Sequence, residues 1–163
     1  MRYLGNKESI ASKIKEVVFD KVNIQQDTVL FDAFCGTGSV ANSFKDACKV
    51  IINDNLHCAV TYSYRRMVAN SCKFENLGFD PFEYFNTIDL EEQGFFYNTY
   101  SPGGSSRMYL TEQNAGRVDF FRHTIEKWKN DNFVTEEEYQ YLLACLIESV
   151  SFVSNTAGVY GAF

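Results

Sequence analysis

The chain is poor in several things, and each shortage excludes something. It has two prolines and two histidines in 163 residues. The five cysteines, an odd number, show no C-x-x-C spacing, and no His/Cys cluster suggests zinc. They read as reduced thiols, which predicts a cytoplasmic protein. No apolar run approaches the roughly 20 residues of a membrane span. The first residues, Met1-Arg2-Tyr3-Leu4-Gly5-Asn6-Lys7, lack the apolar segment of a signal peptide. Positive charge is also scarce: 15 Lys and Arg stand against 21 Asp and Glu, a formal net charge of −6. That is a poor overall field for binding nucleic acid, whose affinity comes largely from phosphate contacts with Lys and Arg. Any basic surface for DNA must be local, or lie outside this chain.

What is present suits a globular fold: 45% of residues are apolar and 16% are aromatic. Lys7 to about Val18 reads as an amphipathic helix, with Ile10, Ile14 and Val17 on one face. Val29-Leu30-Phe31-Asp32 is a continuous apolar run of the kind that forms a buried parallel strand. A Gly36-x-Gly38 turn follows, then a short helix with Val40, Ala41 and Phe44, and a second strand, Val50 to Asp54. A helix from about Leu56 to Ser71 would bury Val60, Tyr64 and Met67. The stretch 75–112 has no steady period and is expected to be loops and short turns. Gln113 to Lys129 predicts a helix with a Val118, Phe121, Ile125 and Trp128 stripe. Thr135 and Glu138 form a capping box. The helix behind it would bury Leu142, Leu143, Leu146, Ile147 and Val150. Three segments result: an α/β part over 1–74, an irregular part over 75–112, and a helical part over 113–163. The chain stops on apolar residues, Gly158 to Phe163, as expected of a chain cut short at 163.

The chemistry concentrates at the glycine turn. Gly36 and Gly38 let a backbone approach a ligand without a Cβ in the way. A helix N-terminus behind such a turn offers free N–H groups and a positive dipole end. Gly36-Thr37-Gly38-Ser39-Val40-Ala41 also fits the G-x-G-x-x-A pattern of dinucleotide sites. Asp54, 18 positions after Gly36, stands where an acid could accept hydrogen bonds from both ribose hydroxyls. Asp32 separates the cofactor classes. A carboxylate there repels a pyrophosphate and attracts an ammonium or a sulfonium, which points to S-adenosylmethionine. The plainer reading makes Asp32 a strand-end cap and Asp54 a turn residue. Cys35 has no histidine near it in sequence and reads as a small residue filling the turn, not a nucleophile.

These residues resemble the Dam-like (alpha-group) DNA adenine-N6 methyltransferases. Arg2-Tyr3-Leu4-Gly5-Asn6-Lys7 is similar to that family's N-terminal cofactor motif. Phe31 to Val40 is similar to its F-x-G-x-G motif, and Asn53-Asp54 to the acidic end of its second strand. Gln113 to Phe163 is similar to the segment leading towards its catalytic motif, so the likeness spans essentially the whole chain. It implies a partial Rossmann-like S-adenosylmethionine-dependent methyltransferase fold, α/β, with a helical and irregular region after the second strand. It implies that Tyr3 and Lys7 line the cofactor pocket and that Asp32 takes the methionine ammonium. Phe34, Gly36 and Gly38 would shape the pocket, Ser39 would add a hydroxyl contact, and Asp54 would hold the ribose. An aromatic packed under the first helix and a solvated lysine are the plainer readings of Tyr3 and Lys7. Arg65, Arg66 and Arg107, with Arg2 and Tyr3, are the local candidates for contact with DNA phosphate.

The sequence departs from that family at the catalytic step. It has no Asp-Pro-Pro-Tyr-type motif. In Asp80-Pro81-Phe82-Glu83-Tyr84, Phe replaces the second Pro and Tyr84 stands one residue too far, so Asp80-Pro81 reads as a loop turn. No catalytic residue and no metal ligand is assigned. The expectation is the N-terminal, cofactor-binding portion of a modification methylase, inactive alone. It would act on DNA with a missing C-terminal half or a second subunit, or self-associate through an exposed sheet edge. Two other readings stay open: a non-catalytic cofactor- or partner-binding module, and a nicotinamide-dependent oxidoreductase.

Overall fold

The computed structural model describes residues 6–155. The chain divides into two compact units at Ser71/Cys72. The first has a short 3-10 turn, Glu8–Ile10, then α1 (Ala11–Lys21), β1 (Val29–Asp32), α2 (Ser39–Phe44), β2 (Lys49–Ile52) and α3 (His57–Val68). The second is helical among its described residues: α4 (Pro81–Thr87), α5 (Phe95–Tyr100), α6 (Glu112–Asn130) and α7 (Glu136–Val153). The fold class is thus α/β. None of the described helices is long and apolar enough to cross a membrane.

In the first unit β1 and β2 pair in parallel, in the register Val29↔Lys49 to Asp32↔Ile52. A parallel pair needs a crossover, and α2 supplies it. Alternation along the strands sends Leu30, Asp32, Val50 and Ile52 to a half-buried face. The opposite face carries Val29, Phe31 and Ile51, which are 52%, 61% and 45% exposed. The apolar run that predicted a buried strand is therefore covered on one face only by the described residues. Phe44 and Ala41 of α2 and Ala59 of α3 are fully buried, and Phe19 of α1 stacks on Phe44 at 6.0 Å.

Two predicted stripes are displaced. In α1 the face turned inward carries Ala11, Ile14 and Val18, at the i, i+3, i+7 spacing of one helical face. Ile10 and Val17 lie outside it, 44% and 56% exposed. In α3 the deepest positions are Ala59, Tyr62, Ser63 and Val68. Val60, Tyr64 and Met67 are only half-buried, because the close approach of the glycine turn puts small Ser63 innermost.

The second unit has its own core: Phe74, Phe85, Ile125, Trp128, Val134 and Leu142. The α6 stripe is as predicted. Val118, Ile125 and Trp128 are buried, and Phe121 meets the Phe85 ring at 4.6 Å. Leu142 is the buried leucine of α7, with Leu143 and Leu146 packed at the margin. The stretch 75–112 contains α4 and α5, each held by a carboxylate. Asp80 is the N-cap of α4, accepting from Phe82 N–H (2.7 Å) and Glu83 N–H (3.2 Å), with Pro81 in the first turn. Asp80-Pro81 thus starts a helix; it is not a loop turn. Buried Asp119 on α6 accepts from Phe96 N–H (2.9 Å) and Tyr97 N–H (2.8 Å) at the start of α5.

The capping box of α7 is formed as the sequence predicts, and it does more. Buried Glu138 accepts from Thr135 N–H (2.9 Å) and also from Phe74 N–H (2.5 Å) and Lys73 N–H (3.2 Å). Burial alone would raise its pKa. The N–H donors of Thr135, Phe74 and Lys73 outweigh burial and hold it below the ordinary carboxylate value. Glu138→Ala is expected to destabilise the protein by about 2–3 kcal/mol, since it strands buried N–H groups. A folded pKa below the unfolded one gives stability that is full above the unfolded value, about 4.3. That stability is lost as pH falls through the folded value. Chemical denaturation against pH should show a smaller acid-side loss in Glu138→Gln than in the parent protein, the remainder coming from Asp54, Glu8 and other carboxyls also held below their ordinary values.

Candidate functional site

Beyond the last ladder pair the two strands remain laced together. Asn53 N–H donates to Asp32 O (2.9 Å), Cys35 N–H to Asn53 O (2.9 Å), and Asn53 Nδ2 to Ala33 O (2.9 Å). The chain then turns through Gly36 (φ +51°) and Gly38 (φ +73°), in the left-handed region. Gly38 N–H closes the turn on Cys35 O at 2.8 Å. The loop crosses against α3: a Cβ on Gly38 would stand 2.0 Å from Ser63 Oγ.

Asp54 is fixed by backbone at both oxygens. Oδ2 accepts from Gly36 N–H (2.9 Å) and Oδ1 from Leu56 N–H (3.0 Å). These donors, Leu56 first and then Gly36, hold its carboxyl below the ordinary range. A cavity of about 230 Å³ opens here, lined by Lys7, Asp32, Phe34, Gly36, Ser39 and Asp54 among others. Phe34 is 88% exposed at its edge. Cys35 is buried beneath it. Burial first, and then the Asp32 and Asp54 carboxylates, push its thiol up against the lowering effect of the Ser63 hydroxyl. A thiol raised in this way is a poor nucleophile.

The N-terminal segment is pinned across the turn. Ser39 Oγ lies 2.6 Å from Asn6 Oδ1 and 2.8 Å from Glu8 Oε2. Glu8 N–H donates to Asn6 Oδ1 (2.8 Å), and Arg66 Nη2 donates to Glu8 Oε1 (3.0 Å). Arg66 first, and then Ser39, hold the Glu8 carboxyl below its ordinary value. This latch sets Lys7 at the cavity wall.

The structure therefore gathers Lys7, Asp32, Phe34, Gly36, Ser39 and Asp54 around one cavity, with Gly38 behind the turn. Tyr3 lies outside the described residues. Arg65 and Arg66 sit on α3, away from the cavity lining. Arg65 stacks over Tyr62 at 5.0 Å, and the Arg66 guanidinium pairs with Glu8. Arg107, in the second unit, is exposed and lies over Tyr100 at 5.5 Å. Sequence reasoning missed Asn6 and Glu8 as parts of the site. Glu8 and Arg66 are 58 residues apart, and no local pattern joins them. Among the described residues no group of three or more His, Cys, Asp or Glu is placed to hold a metal.

The turn geometry can be tested directly. Gly38→Ala should lower stability by about 2–4 kcal/mol, combining the left-handed φ with the clash on Ser63. Adding Ser63→Gly should recover the steric part and leave the conformational part. Urea unfolding of both variants reads the two contributions separately.

The profile of the D12 class N6 adenine-specific DNA methyltransferases matches residues 3–163. The chain is 37% identical to the Type II methyltransferase M.FokI of Planomicrobium okeanokoites and 39% identical to the modification methylase StsI of Streptococcus sanguinis. Each alignment covers 100% of this chain and 26% of the relative. It is 32% identical to the Type II methyltransferase M.NlaIII of Neisseria lactamica, covering 100% of this chain and 49% of that protein. The chain thus spans about a quarter to a half of the length of these relatives. No solved structure matches it. With a profile match over nearly its whole length, the chain belongs to the D12 class N6 adenine-specific DNA methyltransferase family.

Proposed function

We propose that this chain is the S-adenosylmethionine-binding portion of a DNA adenine-N6 methyltransferase of the modification-methylase type, with a partial Rossmann-like fold in its first unit and no methyl transfer by itself. The observation that carries the reading is the pair of carboxylates, Asp32 at the end of β1 and Asp54 just beyond β2, on one cavity around a left-handed glycine turn. Family membership and the named relatives support it.

The residues present fit the cofactor. Two acids on one small cavity favour a ligand bearing cations, and S-adenosylmethionine carries an ammonium and a sulfonium. When bound, it supplies an activated methyl group. Asp32 takes the ammonium. Asp54 keeps its backbone bonds, and its remaining lone pairs accept the ribose hydroxyls. Lys7, held by the Glu8 latch, faces the methionine carboxylate, with Tyr3 nearby in sequence. Phe34, Gly36 and Gly38 shape the pocket, and Ser39 anchors its N-terminal wall. DNA is the substrate; of the phosphate-contacting candidates Arg65, Arg66 and Arg107, Arg66 is engaged by Glu8, which leaves Arg65 and Arg107.

Catalysis belongs to residues outside this chain. The nearest approach to the family's catalytic motif, Asp80 to Tyr84, is occupied structurally. The Asp80 carboxylate caps α4 and Tyr84 packs against Trp128 at 5.5 Å. The reading of a split subunit completed by another segment or chain is favoured by the apolar strip of Val29, Phe31 and Ile51. Parallel sheets are ordinarily covered on both faces. The nicotinamide reading is disfavoured, because the same two carboxylates would repel a pyrophosphate.

Calorimetric titration with S-adenosylmethionine, S-adenosylhomocysteine and NAD tests the proposal. Binding of the methionine cofactors without NAD is the expected result. Asp32→Asn and Asp54→Asn should each weaken it about ten- to hundredfold, the worth of a hydrogen bond to a charged group. Equal affinity in the parent and both variants, or a preference for NAD, overturns the assignment of this pocket.

A further inference from the structure

A second cavity, of about 590 Å³, opens in the helical unit, with no residue of the glycine turn in its lining. That volume lies within the roughly 300–1,000 Å³ typical of small-ligand pockets. Its walls are aromatic: Phe95, Phe96, Tyr100 and Tyr109, with Arg107 at the rim. Ring-to-ring contacts hold these walls at fixed angles. Tyr100 meets Phe95 at 5.7 Å, Phe96 at 5.8 Å and Tyr109 at 5.8 Å. Asp119 fixes α5 from beneath, and Leu110 N–H donates to Tyr100 O at 3.0 Å, tying the two walls together. Phe95 is 64% exposed. The Arg107 guanidinium rests over Tyr100, and among the described residues no carboxylate pairs with it.

Rigid aromatic walls suit a flat π ligand. An exposed guanidinium beside them suits an anion attached to that ligand. A free anion would need no rings, and an apolar peptide side chain would need no guanidinium. A nucleotide carries both parts, and stacking on aromatic rings with Arg on the backbone is how unpaired strands are held. We propose that this cavity receives an unstacked base of a DNA strand, with Arg107 pairing to its phosphate. The proposal rests on reading the chain as part of a DNA methyltransferase. It adds a base-holding site whose lining shares no residue with the cofactor cavity.

The 163-residue chain is irradiated with a short single-stranded deoxyoligonucleotide carrying 5-iododeoxyuridine, and the adducts are mapped by mass spectrometry. Adducts within 95–100 or 107–110 are expected. Phe95→Ala, a truncation of an exposed ring that spares the core, should weaken oligonucleotide binding roughly five- to hundredfold. Arg107→Gln should reduce the slope of log affinity against log salt by about one. Adducts confined to other segments, no adducts at all, or unchanged affinity in Phe95→Ala overturns the proposal, as would occupancy by an apolar peptide in its place. S-adenosylmethionine titration of the same samples separates the two readings. Cofactor binding without adducts in this cavity removes the base site alone. Absence of cofactor binding removes the cofactor assignment and leaves the adduct map to stand by itself.

Discussion

The bond between Asp54 and Gly36 N–H is the constraint around which the first unit is arranged. It joins the end of one strand to the turn that leaves the other, 18 positions apart in sequence. The turn can present its N–H in that direction only with Gly36 and Gly38 in the left-handed region, where a Cβ costs about 1–2 kcal/mol. The turn in turn presses on α3, so Ser63 must be small. The same carboxylate holds the N–H of Leu56 at the start of α3. One acid therefore fixes the mouth of the cavity, the loop across it and the helix behind it. On the proposed reading, this is also the group that meets the ribose, so the ligand contacts an acid already oriented before binding. Preorganisation of that kind reduces the ordering cost of association.

The second unit uses the same physics without a ligand. Asp80, Asp119 and Glu138 each place a carboxylate on backbone N–H groups at a helix start or in a loop. Charge-assisted bonds of this kind are stronger than neutral ones. They organise short elements whose own apolar area is small, such as the six residues of α5. The acidic composition thus has an internal use. Several of the 21 acids serve the chain's own backbone.

Local signals were legible, and distant ones were not. β1 is bounded as its apolar run predicts, α6 follows its stripe and α7 its cap, because 3.6-residue periodicity and the Thr135–Glu138 box are properties of neighbouring residues. Of the five residues predicted to be buried in α7 only Leu142 is, and Leu143, Leu146, Ile147 and Val150 are half-buried. The Gly-x-Gly spacing with Asp32 and Asp54 located the cavity. What failed depended on the partner surface. Ile10 and Val17 fit a helical period, yet the face that meets α2 is set by how Phe19 reaches Phe44. Asp80-Pro81 fits a turn by composition, yet Asp followed by Pro is also a helix-start pattern, and here it starts α4. Ordering of α5 by Asp119, and of the N-terminal segment by Glu8 and Arg66, joins residues 22–23 and 58 positions apart. No short-range rule reaches them.

On the proposed reading the electrostatics also divide the work. A cavity lined by Asp32 and Asp54 attracts a sulfonium cofactor and repels a phosphate, and the formal charge of −6 repels a polyanion at long range. DNA therefore cannot be held by the surface that holds the cofactor. The strand needs cationic groups elsewhere, and only the uncharged base can approach the methyl donor. Arg66 is withdrawn from that task by Glu8, whereas Arg107 lies exposed beside aromatic walls. Asp32 and Asp54 line the cavity of the first unit, and Arg107 lines that of the second. On the proposed reading a cationic donor and a base on an anionic chain are thus met by different groups, carboxylates for the one and an arginine with aromatic rings for the other.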